Sequence, residues 1–148
     1  MSKEPLKVAV VGCGYVAQAG HIPVIVKCKN AKLVAVCDRN QEMAMSVAQN
    51  FKIDKYYTDS EQMLGREKPD VVHICTPIAT HAPLAIQAME AGCNVFVEKP
   101  LAITAGEADE MIAVSRKNEV KLTVMENWLF LPTVVKMKSL VTKGIIGD

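Results

Sequence analysis

A glycine-rich turn near the beginning of the sequence has the spacing of a phosphate-binding loop. The segment Gly-Cys-Gly-Tyr-Val-Ala begins at Gly12 and directly follows an apolar run. In such a turn Gly12 permits the tight bend, Gly14 lets the backbone approach a pyrophosphate, and Ala17 lets the next helix pack closely on the strand. The helix N-terminus adds free N–H groups and a partial positive charge of about half a unit. The spacing predicts a dinucleotide site, with Tyr15 and Val16 among the contacting residues.

An acidic residue at the end of the second apolar run strengthens this prediction. Asp38 lies about 20 residues beyond the turn, where a carboxylate accepts hydrogen bonds from the adenosine ribose hydroxyls of NAD. Its charge would repel a 2′-phosphate, whereas Arg39 beside it could pair with one, so NAD is favoured and NADP stays open. Two alternatives remain. Asp38 could simply cap the next helix, or the turn could bind S-adenosylmethionine, although such sites usually carry a third glycine where this chain has Val16.

A charged pair stands where the fifth apolar run ends. Glu98 and Lys99 precede Pro100, at the edge where open α/β sheets bind ligands, and neighbouring strand residues point to opposite sides. A lysine at a dry sheet edge beside a bound nicotinamide would be desolvated and could hold a substrate hydroxyl and share its proton. The competing interpretation is an ordinary exposed lysine at a strand end, because most lysines are exposed.

These residues need a sheet whose strand ends meet at one edge. Apolar runs that predict strands are Leu6 to Val11, Leu33 to Cys37, Lys55 to Thr58, Val71 to Cys75, Val95 to Val97 and Leu122 to Met125. Because the strong runs are continuously apolar, they should be buried on both faces, as in a parallel sheet covered by helices. We expect an α/β fold with a doubly wound parallel sheet, the Rossmann type, in strand order 3-2-1-4-5-6.

Helices are predicted between these strands from apolar spacing, caps and breakers. The features are a stripe at Met43, Val47 and Phe51 beside Ala44 and Ala48, the capping boxes Thr104-x-x-Glu107 and Thr58-x-x-Glu61, a helix between Pro83 and Gly92, and a last helix from Pro132 to Gly144. The helix that follows Thr104 is expected to bury Ala108, Met111, Ile112 and Ser115.

Composition predicts one domain with a small-molecule ligand. The 17 basic and 16 acidic side chains nearly cancel, so no broad field exists to hold nucleic acid or an anionic membrane. The five cysteines form no C-x-x-C pair and mostly lie in apolar runs, which predicts a reducing, cytoplasmic compartment and no metal site. The polar N-terminus and short first apolar run predict neither a signal peptide nor a membrane span.

The three histidines have different predicted roles. His73 lies within an apolar strand and is expected to be a satisfied core residue. His21 lies beside Pro23 in the first helix, where a structural role is favoured. His81 is placed near the ligand edge, where helix entry and cofactor contact are equally open, and it is not predicted to be the catalytic base.

Taken together, five motifs resemble the glucose–fructose oxidoreductase, inositol dehydrogenase and rhizopine-catabolism (Gfo/Idh/MocA) family. They are Gly12-x-Gly14-x-x-Ala17, Asp38, Thr76-Pro77-x-x-x-His81, Glu98-Lys99-Pro100-Leu101-Ala102 and Glu126-Asn127-Trp-Leu-Phe130-x-Pro132. The resemblance covers nearly the whole chain, and the Glu-Lys-Pro element is its most specific part. It departs from the common family pattern at Ile78, where asparagine is usual, and at Leu129, where arginine is usual.

The resemblance implies reversible hydride transfer between NAD(P) and a secondary alcohol of a sugar, polyol or related ring. Lys99 would contact the reacting hydroxyl, often with a cis bond to Pro100, and Glu98 would support the site. Thr76 and Pro77 would lie along the nicotinamide, and His81, Glu98 and Asn127 are further cofactor-site candidates. The cofactor itself carries the hydride chemistry.

The resemblance also implies a division of the protein. Residues 1–126 would form the dinucleotide-binding domain, and 127–148 a connecting helix and the start of a C-terminal substrate domain absent from this chain. That domain, an open and largely antiparallel sheet, carries an acid and a histidine that complete catalysis in the family and often mediates homo-oligomers. The chain alone is then expected to bind NAD(H) without turnover. The alternatives are a non-catalytic NAD(P)-binding or sensor module and a methyltransferase-like domain.

Overall fold

The architecture is a parallel sheet covered by helices. The computed structural model describes residues 4–145, and the strands in that range are β1 (Leu6–Val11), β2 (Ala31–Cys37), β3 (Tyr56–Tyr57), β4 (Val71–Ile74), β5 (Asn94–Val97) and β6 (Leu122–Val124). All neighbouring strands are parallel, and their order across the sheet is β3-β2-β1-β4-β5-β6. The predicted fold class and strand order are confirmed, with strand ends that differ from prediction by one or two residues.

Helices connect the strands. They are α1 (Ile22–Ile25), α2 (Gln41–Phe51), α3 (Ser60–Glu67), α4 (His81–Glu90), α5 (Ala105–Lys117) and α6 (Pro132–Thr142). A π-helical turn, Ala17–His21, leads into α1, and 3₁₀ turns at Ile78–Thr80 and Asn127–Phe130 come before α4 and α6. None of the helices described in residues 4–145 is long and apolar enough to cross a membrane.

The core lies on both faces of the sheet, and β1 shows this most clearly. Val8 and Val10 belong to an apolar cluster with α1 and α2. The alternate residues, Ala9 and Val11, belong to a second cluster with α3, α4 and α5. All four side chains are buried, which is why the strand reads as a continuous apolar run rather than an alternating one.

One of the two predicted capping boxes forms. The Thr104 hydroxyl accepts a hydrogen bond from the Glu107 N–H at 3.2 Å, and the Glu107 carboxylate accepts from the Thr104 N–H at 3.4 Å. The box predicted at Thr58 is wrong by one residue: Asp59 is the cap of α3 and accepts from the Gln62 N–H at 2.7 Å. Aspartate and threonine both cap well, so the sequence alone did not separate these neighbours.

Two predicted helix faces are rotated in the structure. Met43, expected in the stripe of α2, is 40% exposed, while Ala44, Val47 and Ala48 are buried. In α5 only Met111 is fully buried, and Ile112 is exposed. In α2 the small side chains of Ala44 and Ala48 are buried beside Val47, which allows a close approach of helix and strand.

The segment after β6 makes little contact with this core. Its apolar side chains are exposed at Trp128, Leu129, Phe130, Leu131, Val135, Met137, Val141 and Ile145. No residue of α6 is buried. The helix begins at Pro132 as predicted, and Gly144 has a positive φ of 66° just past its end. Residues 146–148, which include most of the predicted start of a second domain, lie outside the described residues.

We predict that Thr104→Ala lowers the free energy of unfolding by about 1 kcal/mol, since it removes the oxygen that caps α5. Urea unfolding followed by circular dichroism measures the change. Thr133→Ala is the matched control: Thr133 is an exposed threonine in the first turn of α6, and its loss should leave the midpoint unchanged. An equal effect of the two substitutions would contradict a specific cap.

Candidate functional site

Gly12 allows the glycine turn to pack against the end of β4. Its φ is +92°, and a Cβ built on it would lie 2.7 Å from both the carbonyl carbon and the oxygen of Cys75. The Gly12 N–H also donates to the Cys37 carbonyl at 2.8 Å. Gly12 is therefore needed for packing as well as for the bend that the sequence predicts, because any side chain here meets backbone.

Gly14 has the opposite surroundings. A Cβ on Gly14 would have no heavy atom within 4 Å, so this glycine leaves open space above the first helix. The Gln18 N–H donates a hydrogen bond to the Gly14 carbonyl at 3.1 Å. The N–H groups before Gln18 lie at the start of the helix, where no helical carbonyl accepts from them. Tyr15 is 84% exposed and Val16 is 45% exposed, while Ala17 is fully buried. The open space has the character of an anion cradle.

Asp38 ties the glycine turn to the end of β2. Its Oδ2 accepts from the Cys13 N–H at 2.8 Å, and its Oδ1 accepts from the Asn40 N–H at 2.9 Å. Each carboxylate oxygen can accept a further bond, so the side chain can still bind ribose hydroxyls. The cap of α2 is Asn40, whose side chain accepts from the Met43 N–H, so the alternative of Asp38 as the helix cap is wrong. Arg39 is exposed at the same edge.

The loop after β4 is fixed by His81. This histidine is 1% exposed, and its Nδ1 and Nε2 lie 2.9 Å from the carbonyl oxygens of Pro100 and Thr76, respectively. The Thr80 hydroxyl lies 2.8 Å from both the Thr76 hydroxyl and the Pro77 carbonyl. The His81 ring thus joins the loop after β4 to the loop after β5. Its burial supports the helix-entry interpretation, and contact with a cofactor stays a prediction.

Glu98 faces inward at the end of β5. Its Oε1 lies 2.7 Å from His21 Nε2, and its Oε2 accepts from the Lys99 N–H at 3.1 Å. The other ring nitrogen of His21 lies 2.9 Å from His73 Nδ1. Burial and the neighbouring His21 lower the pKa of His73 to about 4, so His73 is uncharged at neutral pH. His73 is half-buried and its Nδ1 is hydrogen-bonded, so the expectation of a satisfied histidine is confirmed.

Lys99 lies on the open side of the same strand end. It is exposed, and its bond to Pro100 is cis. The dry surroundings predicted for Lys99 are therefore not supplied by residues 4–145, because no described element covers this edge. Asn127 lies in the 3₁₀ turn after β6 and is exposed as well.

The thiols around the glycine turn remain protonated. Burial, with a smaller effect of the Asp38 charge, raises the pKa of Cys13 and of Cys37 to about 12. Burial and then the Glu98 charge raise the pKa of Cys75 to about 12. At neutral pH these groups add no negative charge beside the open space above Gly14, and none is a thiolate nucleophile.

The structure brings all of the predicted site residues to one edge of the sheet. The residues at the carboxyl ends of β1, β2, β4, β5 and β6 are Gly12, Gly14, Tyr15, Val16, Ala17, Asp38, Arg39, Thr76, Pro77, His81, Glu98, Lys99 and Asn127. Sequence reasoning missed the contact of His21 with Glu98, which are 77 residues apart. The sequence did contain one sign of this contact: His21 and His73 each lie within an otherwise apolar segment.

Comparisons with known proteins agree with this geometry. Residues 6–126 match the family model GFO_IDH_MocA, described as an oxidoreductase family with an NAD-binding Rossmann fold. The chain is 34% identical to the D-glucoside 3-dehydrogenase of Escherichia coli (strain K12), over all of this chain and 42% of that protein. The methyltransferase alternative gains no support from this match.

Two solved structures show the same fold over nearly the whole chain. Myo-inositol 2-dehydrogenase from Lactobacillus plantarum superposes with a TM-score of 0.91 at 29% identity, covering 98% of this chain and 43% of that one. GenD2 from gentamicin A biosynthesis, in complex with NAD, gives 0.90 at 32% identity, covering 96% and 40%. The chain spans about two fifths of the length of the relatives it matches. It belongs to the Gfo/Idh/MocA family of oxidoreductases, and it carries that family's NAD-binding Rossmann fold.

Proposed function

We propose that this chain is the NAD(H)-binding part of a dehydrogenase that acts on a secondary alcohol of a sugar, polyol or related ring. The observation that carries the proposal is the open space above Gly14 at a helix start, with Asp38 on the same sheet edge. Lys99 lies on that edge too, two strands away from β1. Phosphate, ribose and reacting alcohol would each meet a suitable group there.

Each part of a bound dinucleotide would contact particular residues of the chain. The N–H groups of the turn at Gly14, Tyr15 and Val16 would hold the pyrophosphate, and Asp38 would hold the adenosine ribose with Arg39 beside the adenine. Thr76, Pro77, His81, Glu98 and Asn127 complete the cofactor-site candidates. The bound nicotinamide would accept or donate the hydride.

Lys99 is the proposed catalytic residue. Its ammonium would donate a hydrogen bond to the substrate oxygen and hold the proton that this oxygen loses or gains. The exposed position of Lys99 in residues 4–145 implies that further parts of the whole protein, together with the ligands, would cover it and exclude water. Two features support this: the relatives are more than twice as long as this chain, and the apolar side chains after β6 lack a covering layer.

The proposed division is a dinucleotide-binding domain at 1–126 and a connecting segment at 127–148 that leads to a substrate domain. The family match to 6–126 and the absence of buried residues in α6 support this boundary. We also propose a cytoplasmic location, since all five cysteines are free thiols. Homo-oligomers would form through the substrate domain, so this chain by itself should associate weakly.

A pair of glycine substitutions separates binding from folding. Gly14→Ala places a methyl group in the open space, where the fold tolerates it, and should weaken NADH binding at least about tenfold. Gly12→Ala meets the Cys75 backbone and should instead lower the free energy of unfolding by about 2 kcal/mol or more. NADH fluorescence titration and urea unfolding measure the two effects. Unchanged NADH affinity in folded Gly14→Ala would argue against the phosphate site.

Cofactor preference should depend on the Asp38 charge. Asp38→Asn keeps one side-chain oxygen and removes the charge that repels a 2′-phosphate, so the ratio of NADPH to NADH affinity should rise by roughly tenfold. The matched control is Asp54→Asn, which removes an equal charge from an exposed residue between β2 and β3. An equal rise in the control would point to net charge rather than to contact with the ribose.

Catalysis should need more than this chain. The purified 148-residue protein should bind NADH yet reduce no NAD with inositols, glucosides or related polyols, because residues 4–145 leave Lys99 uncovered. Absorbance at the NADH band, with a polyol dehydrogenase as the positive control, makes the measurement. Turnover at the rate of that control would show that the chain is catalytically complete.

A further inference from the structure

Three side chains from separate elements form a hydrogen-bonded row beneath the loop that carries Lys99. His21 comes from the π-helical turn before α1, His73 from β4 and Glu98 from the end of β5. The row runs from His73 Nδ1 to His21 Nδ1 at 2.9 Å, and from His21 Nε2 to Glu98 Oε1 at 2.7 Å. It contains two histidines that the cofactor-binding assignments leave without a role.

The central histidine is held firmly. His21 is 6% exposed, and its ring packs edge-on against His73 with centroids 5.2 Å apart. The His73 ring in turn stacks on Phe96 of β5, at 5.0 Å and 21°. The backbone before α1 also departs from α-helix at this point, because the Ile22 N–H bonds to the carbonyl of Ala17, five residues back. Such π-turns are frequent at functional sites.

The positions of the protons determine the direction of the hydrogen bond between His21 and Glu98. A carboxylate only accepts, so the hydrogen between His21 Nε2 and Glu98 Oε1 belongs to His21. One further proton lies between the two Nδ1 atoms, on His73 or on His21. In either arrangement His21 donates to Glu98 and His73 saturates the far side of the His21 ring.

The Glu98 carboxylate connects the hydrogen-bonded row to the backbone of Lys99. Its second oxygen, Oε2, accepts the Lys99 N–H at 3.1 Å, and its own N–H bonds to the Ile74 carbonyl at 2.9 Å. Within residues 4–145 the Lys99 ammonium makes no ion pair. The direction in which Lys99 leaves the sheet edge is thus determined by its backbone, which Glu98 holds from one side.

We propose that His21 is a positioning residue for Lys99, acting through the carboxylate of Glu98, with His73 fixing the His21 ring. This inference rests on the proposed function, in which Lys99 lies beside the nicotinamide and holds the substrate oxygen. Its physical basis is that catalytic groups work when neighbouring hydrogen bonds lock them in place. Neither His21 nor His73 touches substrate in this arrangement.

The test follows Lys99 directly by NMR in the 148-residue chain. Lysines are reductively dimethylated with ¹³C-formaldehyde and a borane reductant, which is removed before NADH is added. The Lys99 signal is assigned by its loss in Lys99→Arg. In the wild-type chain NADH should displace the Lys99 signal. In His21→Ala this displacement should be lost, while fluorescence titration still detects NADH bound at the glycine turn. His21→Gln, which retains an N–H donor for Glu98, should recover part of it.

Two further variants make the comparison specific. His73→Phe keeps a ring against Phe96 but removes the partner of His21, so the displacement should shrink; this variant decides the question if His21→Ala does not fold. Ser115→Ala is the control: it removes the hydrogen bond of 2.7 Å that Ser115, in α5, donates to the Val120 carbonyl beyond the helix, and the Lys99 signal of this variant should respond as in the wild type.

The outcomes separate the two proposals. If NADH does not bind the wild-type chain, the proposed function fails. If NADH binds without moving the Lys99 signal, the roles given to Lys99 and His21 both fail. If His21→Ala and His73→Phe retain the full displacement, only the positioning role of His21 is overturned. Imidazole ¹⁵N shifts add a direct check, because an unprotonated His21 Nε2 at neutral pH would also overturn it.

Discussion

The close approach of Gly12 to the backbone of Cys75 is the constraint on which the rest of the site depends. Only a residue without a side chain allows the loop after β1 to touch the end of β4 while its N–H bonds to the end of β2. Three central strand ends are thereby drawn together. The first helix then starts directly above them, and its free N–H groups face the open space at Gly14.

Around this point the carboxylates of the edge serve two purposes at once. Asp38 bonds to the N–H of Cys13 and Glu98 to the N–H of Lys99, so each acid fixes a loop backbone, while its other oxygen bonds to a second partner, the Asn40 N–H or the His21 ring. Histidines fill the same structural role behind the loops, since both ring nitrogens of His81 reach backbone carbonyls. Preorganisation of this kind lowers the entropy lost when a ligand binds.

Local patterns predicted what depends on local physics. Continuous apolar runs predicted the parallel sheet, and the Thr104 capping box predicted the start of α5. Both predictions succeed because burial on both faces and helix capping depend on the residue types at nearby positions in the chain. The same reasoning failed where neighbours compete, as for Thr58 and Asp59, and where helix rotation decides burial, as for Met43. A helix rotates to suit its sheet, and a sequence stripe does not contain that information.

The sequence by itself determined the fold class, the glycine turn, the acid at the end of β2 and the family to which the chain belongs. These features follow from residue types at fixed short spacings, and the strand order follows from the chain's alternation of strand and helix. Only the tertiary structure decided that His21 meets Glu98, that His81 is buried between two loops, and that Lys99 stays uncovered. Contacts between residues 19 to 77 positions apart depend on how strands are placed side by side, and exposure depends on which elements cover an edge.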